Sequence, residues 1–168
     1  SGTGSNTLSQ VFYNNTVISY STGAAAAAQS GIAVPYYMRN NIFQNYGGGV
    51  ALSGTLPTNT SSNITNDATS AEVALRNITL IFKDKANKNY RLISEDSASI
   101  GSGTNLSADP IYPFTVDLLG NTRTSWDIGA VKYVPLLAVS NRLYTVTSNN
   151  VNLTVNRRLT ANTTRFVA

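Results

Sequence analysis

Apolar positions in this chain come in short runs cut off by Asn, Gly, Pro, Ser and Thr, and no stretch keeps a helical period long enough for an amphipathic helix. Residues 11–13 and 17–20 read as two short β segments on either side of Asn14-Asn15. The arrangement returns 26 positions later, where Asn40-Asn41 precedes Ile42-Phe43, and it echoes in Ser62-Asn63-Ile64-Thr65 and Arg76-Asn77-Ile78-Thr79. Self-similarity at a period of about 20–50 residues marks architectures built by stacking one unit on the next. Asn suits such a unit: it tolerates the left-handed backbone of a tight turn, and its amide can bond the same amide one layer away. Further β segments are expected at 32–38 (bent at Pro35), 78–82 and 89–93, with a charged turn at 83–88. The alanine-rich stretch 21–31 reads as a loop protruding from the repeat, and Gly47-Gly48-Gly49 as a break. This is an all-β chain, and its spacing suggests a coil of parallel strands. A β-sandwich would instead favour Asn-Gly or Asp-Gly hairpins, and neither dipeptide occurs.

After Pro135 the pattern changes. Residues 143–147, 151–155 and 165–167 alternate apolar and polar with period two, the mark of half-buried antiparallel strands. The chain is therefore read as a domain over 1–134 and a short antiparallel β tail over 135–168. A strand pattern still running at Ala168 implies a truncated chain or pairing with another one. Tyr144, Arg157, Arg158 and Phe166 are the assembly candidates, making self-association or a second structural subunit the expected partner.

Composition narrows the setting. Charged residues make up 12% of the chain against a usual value of about 25%, and Asn, Ser and Thr together make up about a third. Such a surface, of hydroxyls and amides, fits an extracellular, cell-surface or virion protein. A hydrophobic content of 42% argues against disorder over most of the length. The net charge of +4 owes something to Arg142, Arg157, Arg158 and Arg165, but only Tyr144 and Phe166 accompany them, which argues against nucleic acid as a partner. With no Cys and no His, disulfides, His-based triads and the usual zinc sites are excluded. No apolar stretch is long enough to span a membrane as a helix.

The Asn-Asn turns and the segment Asn63-Ile64-Thr65-Asn66-Asp67-Ala68-Thr69 resemble the right-handed parallel β-helix proteins of the pectate-lyase-like superfamily. Asn89-Tyr90-Arg91-Leu92-Ile93-Ser94, the run from Ser97 to Gly103, Val116-Asp117-Leu118-Leu119-Gly120-Asn121-Thr122-Arg123 and Trp126-Asp127-Ile128-Gly129-Ala130-Val131 resemble the passage that closes such a domain. The resemblance covers residues 10–134 and implies a right-handed parallel β-helix of few rungs, without specifying a reaction. Within Asp117-x-x-Gly120-x-x-Arg123, the carboxylate is suited to bonding turn amides, the glycine to positive φ, and the arginine to closing back onto the carboxylate. Trp126 is expected to lid the open end of the coil, with Asp127 part of the clasp. Residues 152–161 resemble β-rich repeats of phage virion or secreted bacterial proteins.

Candidate chemistry is thin. Polysaccharide hydrolysis needs two carboxylates about 5–9.5 Å apart, yet the Asn turns of residues 10–50 carry no acid and only Arg39 as a charge. No Asp-x-Asp pattern offers a calcium site, so neither metal nor cofactor is expected. Tyr36, Tyr37 and Tyr46, flanking the second Asn turn beside Arg39, are candidates for stacking on sugar rings, or else pack between layers. Seven Asn-x-Ser/Thr sequons begin at Asn14, Asn59, Asn63, Asn77, Asn105, Asn152 and Asn162. These readings add up to a non-catalytic structural or adhesion module, such as a tail fibre, filament or surface appendage, with polysaccharide as a further partner. The alternative is the C-terminal fragment of a polysaccharide lyase or glycoside hydrolase.

Overall fold

A computed structural model describes residues 10–28, 36–57 and 59–135. All of them belong to the first of the two units into which the chain divides, Ser1–Leu136. The expected antiparallel tail, with Tyr144, Arg157, Arg158 and Phe166, falls on residues outside those described.

Among the described residues, eight short strands lie in the first half of the chain: β1 (Gln10–Tyr13), β2 (Thr16–Ser19), β3 (Ala27–Ala28), β4 (Tyr36–Arg39), β5 (Ile42–Asn45), β6 (Leu52–Ser53), β7 (Asn59–Ser61) and β8 (Ile64–Thr65). They form three parallel sheets, ordered β1-β4-β7, β2-β5-β8 and β3-β6. Each strand therefore pairs with its counterpart from the adjacent repeat, never with its sequence neighbour. Register follows the Asn motif: Tyr13 pairs with Arg39 and Thr16 with Ile42, then Arg39 with Ser61 and Ile42 with Ile64. The described part is all-β and parallel, with a single 3-10 turn at Val73–Leu75.

Period-two alternation decides where the core sits. Phe43 and Ala51 join Met38 and Leu52 in one apolar cluster, against which Phe12, Val17, Ala27, Tyr36 and Leu56 pack, so all three sheets contribute to it. Ile42 and Ile64 face the other way, into a second cluster with Leu80, Phe82, Leu92 and Ile128 from the later chain. The β2-β5-β8 sheet is thus covered on both faces, and all four residues of β5 are buried. Gln44 is fully buried on the second face, where its Nε2 donates to the Ile78 carbonyl (2.9 Å) and its Oε1 accepts from Leu80 N–H (3.2 Å).

Three local expectations are corrected. The alanine stretch is not wholly a protruding loop, because Ala27–Ala28 pairs with Leu52–Ser53 as β3. Residues 78–82 and 89–93 do not form strands. Three of their amides go to a carboxylate instead of a neighbouring strand: buried Asp96 accepts from Ile81 N–H (2.7 Å), Phe82 N–H (3.1 Å) and Ile93 N–H (3.1 Å). The expected β pairing is reduced there to a single antiparallel bridge between Asp84 and Asn89. The Gly47-Gly48-Gly49 break is as expected, and sterics explain it: a Cβ on Gly47 would lie 2.2 Å from the Tyr20 carbonyl oxygen.

Replacing the wholly buried Phe43 with Ala should cost about 3–5 kcal/mol in denaturant unfolding, whereas Leu118→Ala, at a site 77% exposed, should stay within about 0.5 kcal/mol. Equal losses would mean that the clusters are misplaced.

Candidate functional site

The doubled asparagines do two separate jobs. The first of each pair takes the left-handed turn: φ is +49° at Asn14 and +56° at Asn40, with Ser62 at +53° in the third layer. The second of each pair builds a ladder between layers. Asn41 Oδ1 accepts from both the backbone N–H and the side-chain Nδ2 of Asn15 (2.9 and 3.1 Å), and Asn63 Oδ1 accepts in the same way from Asn41 (3.0 and 2.8 Å). Asn41 Nδ2 also donates to the Phe12 carbonyl (2.7 Å), and Asn63 Nδ2 to that of Met38 (2.9 Å). Every layer thus donates to the next through one amide side chain, as the sequence motif suggested.

The left-handed asparagines anchor the later chain. Asn14 Nδ2 donates to the carbonyls of Asp127 (3.0 Å) and Gly129 (3.1 Å), while the Asn40 amide exchanges hydrogen bonds with Thr104 O (2.8 Å) and Thr104 N–H (2.7 Å). Arg123 meets the same carbonyls, donating to Asp127 O (3.3 Å), Gly129 O (3.0 Å) and Ala130 O (3.1 Å). That corrects the expected closure of Arg123 onto Asp117, because the guanidinium is occupied by backbone oxygens. Asp117 fastens a turn instead, accepting from Leu119 N–H and Asn121 N–H and, across the chain, from Lys132 N–H (2.9 Å). Gly120 takes the expected positive φ of +80°. Asp127 accepts from Gly101 N–H (2.7 Å) and Tyr133 N–H (2.6 Å). Trp126 is buried, its ring edge-on to Phe114 (5.2 Å) and beneath the Arg123 guanidinium (5.6 Å). Those partners belong to the closing passage itself, and Trp126 joins neither apolar cluster.

The tyrosines expected to share a face do not. Neighbours on a strand point to opposite sides, so Tyr36 packs on the apolar cluster while Tyr37 faces out beside Arg39 (5.9 Å). Tyr46 lies past β5, its ring tilted against Tyr20 (5.6 Å) and under Lys85 (4.3 Å), its hydroxyl donating to Leu80 O (2.9 Å). Arg39 also acquires an acid: Asp109, from the later chain, forms an ion pair with it at 2.5 Å and accepts from the Tyr13 hydroxyl at 3.3 Å. Burial pushes the Tyr13 phenol up to about 12, with Arg39 opposing and Asp109 reinforcing the shift. The sequence does not place Tyr13 and Asp109 beside Arg39. The signal for Tyr13 was its place before Asn14, matching that of Arg39 before Asn40.

All eight acids are engaged in hydrogen bonds, mostly with backbone amides. Asp67 holds Ala51 N–H (2.6 Å) and Thr69, Glu72 holds Ser62 N–H (2.7 Å), and Asp109 also holds Ile111 and Tyr112 N–H (both 2.9 Å). The more exposed Asp84 and Glu95 bond Asn87 and Ser94. Among the described residues no three of His, Cys, Asp and Glu gather where they could hold a metal ion, and no helix is long and apolar enough to cross a membrane. A groove of about 640 Å³ opens between residues 11–15 and the passage through Tyr112, Phe114, Val116, Leu118 and Arg123. Comparison with family models, curated proteins and solved structures gives no match.

Asn41→Leu removes two donors and an acceptor from a fully buried amide, and each buried group left unmet costs about 1–3 kcal/mol, so unfolding should show a loss at or above that range. A loss below about 0.5 kcal/mol would mean that the ladder does not hold the layers.

The pH dependence follows from Asp67 and Asp117. Burial alone would raise both carboxyls, but the hydrogen bonds they accept (at Asp67 led by the Thr69 hydroxyl, at Asp117 by the Asn121 amide) hold them below their ordinary 3.8. Their contribution is present in full above about pH 5 and lost as pH falls through the folded values. Melting temperature should therefore hold level above about pH 5 and drop below about pH 4, with a shallower drop in Asp117→Asn. A melting temperature that rises on acidification would contradict this.

Proposed function

We propose that the chain is a non-catalytic structural or adhesion module, its strands wound as a right-handed parallel β-helix of few rungs resembling the pectate-lyase-like superfamily. The observation that carries this reading is the use of the carboxylates. General acid–base hydrolysis needs a pair of carboxyls facing a substrate, whereas here Asp67, Asp96, Asp109, Asp117 and Asp127 each accept two or more hydrogen bonds, mostly from backbone amides within turns. An acid engaged in fixing the fold cannot deliver a proton without loosening it. The low charge and the Asn-, Ser- and Thr-rich surface fit an extracellular, cell-surface or virion setting, in a tail fibre, filament or other appendage.

The tail over 135–168 is the proposed assembly segment, for self-association or a second structural subunit. Glycan contact, if it belongs to this module, falls to two separate tyrosine groups: Tyr37 with Tyr13 and Arg39, and Tyr46 with Tyr20 and Lys85. Of these Tyr20 is 58% exposed and could offer a ring face.

Incubation with pectin, alginate, xylan and bacterial capsular polysaccharides, read by reducing-end and unsaturated-product assays, should give no turnover above a heat-treated control. Turnover lost on replacing one of the eight acids or Arg39 would overturn the reading in favour of a lyase or hydrolase.

A further inference from the structure

The ladder has a direction, and its first described member, Asn15, departs from the pattern of the other two. Each layer donates through a backbone N–H and an Nδ2 to the Oδ1 of the following layer's asparagine, so Asn41 and Asn63 Oδ1 each accept two hydrogen bonds. Asn15 Oδ1 accepts none among the described residues. Its Nδ2 departs from the pattern in the same sense: Asn41 and Asn63 donate to a carbonyl of the preceding layer, whereas Asn15 turns back to Tyr13 O (2.9 Å), two residues earlier in its own layer. Among the described residues β1 and β2 pair on one side only, with β4 and β5.

The groove beside β1 supplies the rest of a site. Tyr112, Val116 and Leu118 line it and are 62%, 48% and 77% exposed, an apolar wall on a chain otherwise rich in amides and hydroxyls. Arg123 also lines it, is 6% exposed, and is held in place by the carbonyls of Asp127, Gly129 and Ala130. An extended backbone brings carbonyl oxygens along its edge and alternate side chains toward an apolar wall.

We infer that the groove, with the edges of β1 and β2 that have no partner among the described residues, receives a further polypeptide layer, an extended strand–Asn–strand segment laid in parallel, whose asparagine donates its N–H and Nδ2 to Asn15 Oδ1. The inward side chains of the incoming strand cover Tyr112, Val116 and Leu118. The ladder sets the specificity: leucine at the asparagine position brings no Nδ2 and leaves Asn15 Oδ1 with one donor at most. This inference rests on the ladder and the groove, and holds whether or not the module is catalytic.

A fluorescein-labelled peptide with the sequence of residues 36–45, titrated into the intact chain and followed by anisotropy, should bind saturably. Its Asn41→Leu version should bind about tenfold more weakly, the equivalent of one lost hydrogen bond of roughly 1.4 kcal/mol. Hydrogen exchange on the same mixture should show slowing at residues 11–15 and no change in the turn at 83–88. Absence of saturable binding, equal binding of the two peptides, or protection elsewhere would overturn the inference. So would protection of residues 11–15 by neutral oligosaccharides alone, which would make the groove a glycan site. The Asn substitution sits in the peptide, so misfolding of the protein cannot imitate the result.

Discussion

The amide-to-amide hydrogen bond between successive layers is the interaction on which the rest depends. A parallel stack built from strands of two to four residues gains little from any single strand, and register in such short elements is weakly specified unless something besides strand pairing pins it. Asn41 pins it by acting as acceptor for the layer before and donor to the layer after, within one fully buried side chain. A shift by one residue would break this chain of bonds and turn Ile42 and Phe43 to the wrong faces together. The left-handed residue just before each ladder asparagine makes the geometry attainable, and Asn is among the few residues that adopt it at modest cost.

The sheet through Ile42, Phe43 and Gln44 is buried on both sides, and this gives the second half of the chain its role. Residues 75–133 supply the apolar cover for one face through Leu80, Phe82, Leu92 and Ile128. They do so largely without regular secondary structure, so their backbone polar groups need side-chain partners. The carboxylates meet that need. Asp96, Asp109, Asp117 and Asp127 each gather amides from turns that have no neighbouring strand, and Arg123 gathers the opposing carbonyls. A protein with few charges has committed most of its acids to architecture, and its functional reading follows from that.

Much of the layering is legible in the sequence. The spacing of Asn14-Asn15 and Asn40-Asn41 equals the register shift between β1 and β4, because the repeat in sequence is the layer in space. The ladder itself is legible from the chemistry of the amide. Side-chain partners across long separations are not. Asp117 and Arg123 stand at a spacing that suits an ion pair, but the backbone carbonyls of 127–130 reach the guanidinium instead, a competition that no spacing reveals. Residues 78–82 look like a strand because their apolar run is real, yet Asp96, 14 residues beyond Phe82, takes the amides a strand would have shared. Tyr36 and Tyr37 could have been separated from the start by strand alternation, and Arg39 gains its acid only when Asp109 folds back over 70 residues.

The most direct test of the account is a double-mutant cycle between neighbouring ladder positions. Unfolding free energies of Asn41→Leu, Asn63→Leu and the double variant should be non-additive, with a coupling of about 1 kcal/mol or more, because either substitution alone already breaks the shared bonds. Additivity within about 0.3–0.5 kcal/mol would show that the two amides act independently, and would contradict the claim that one ladder holds the layers in register.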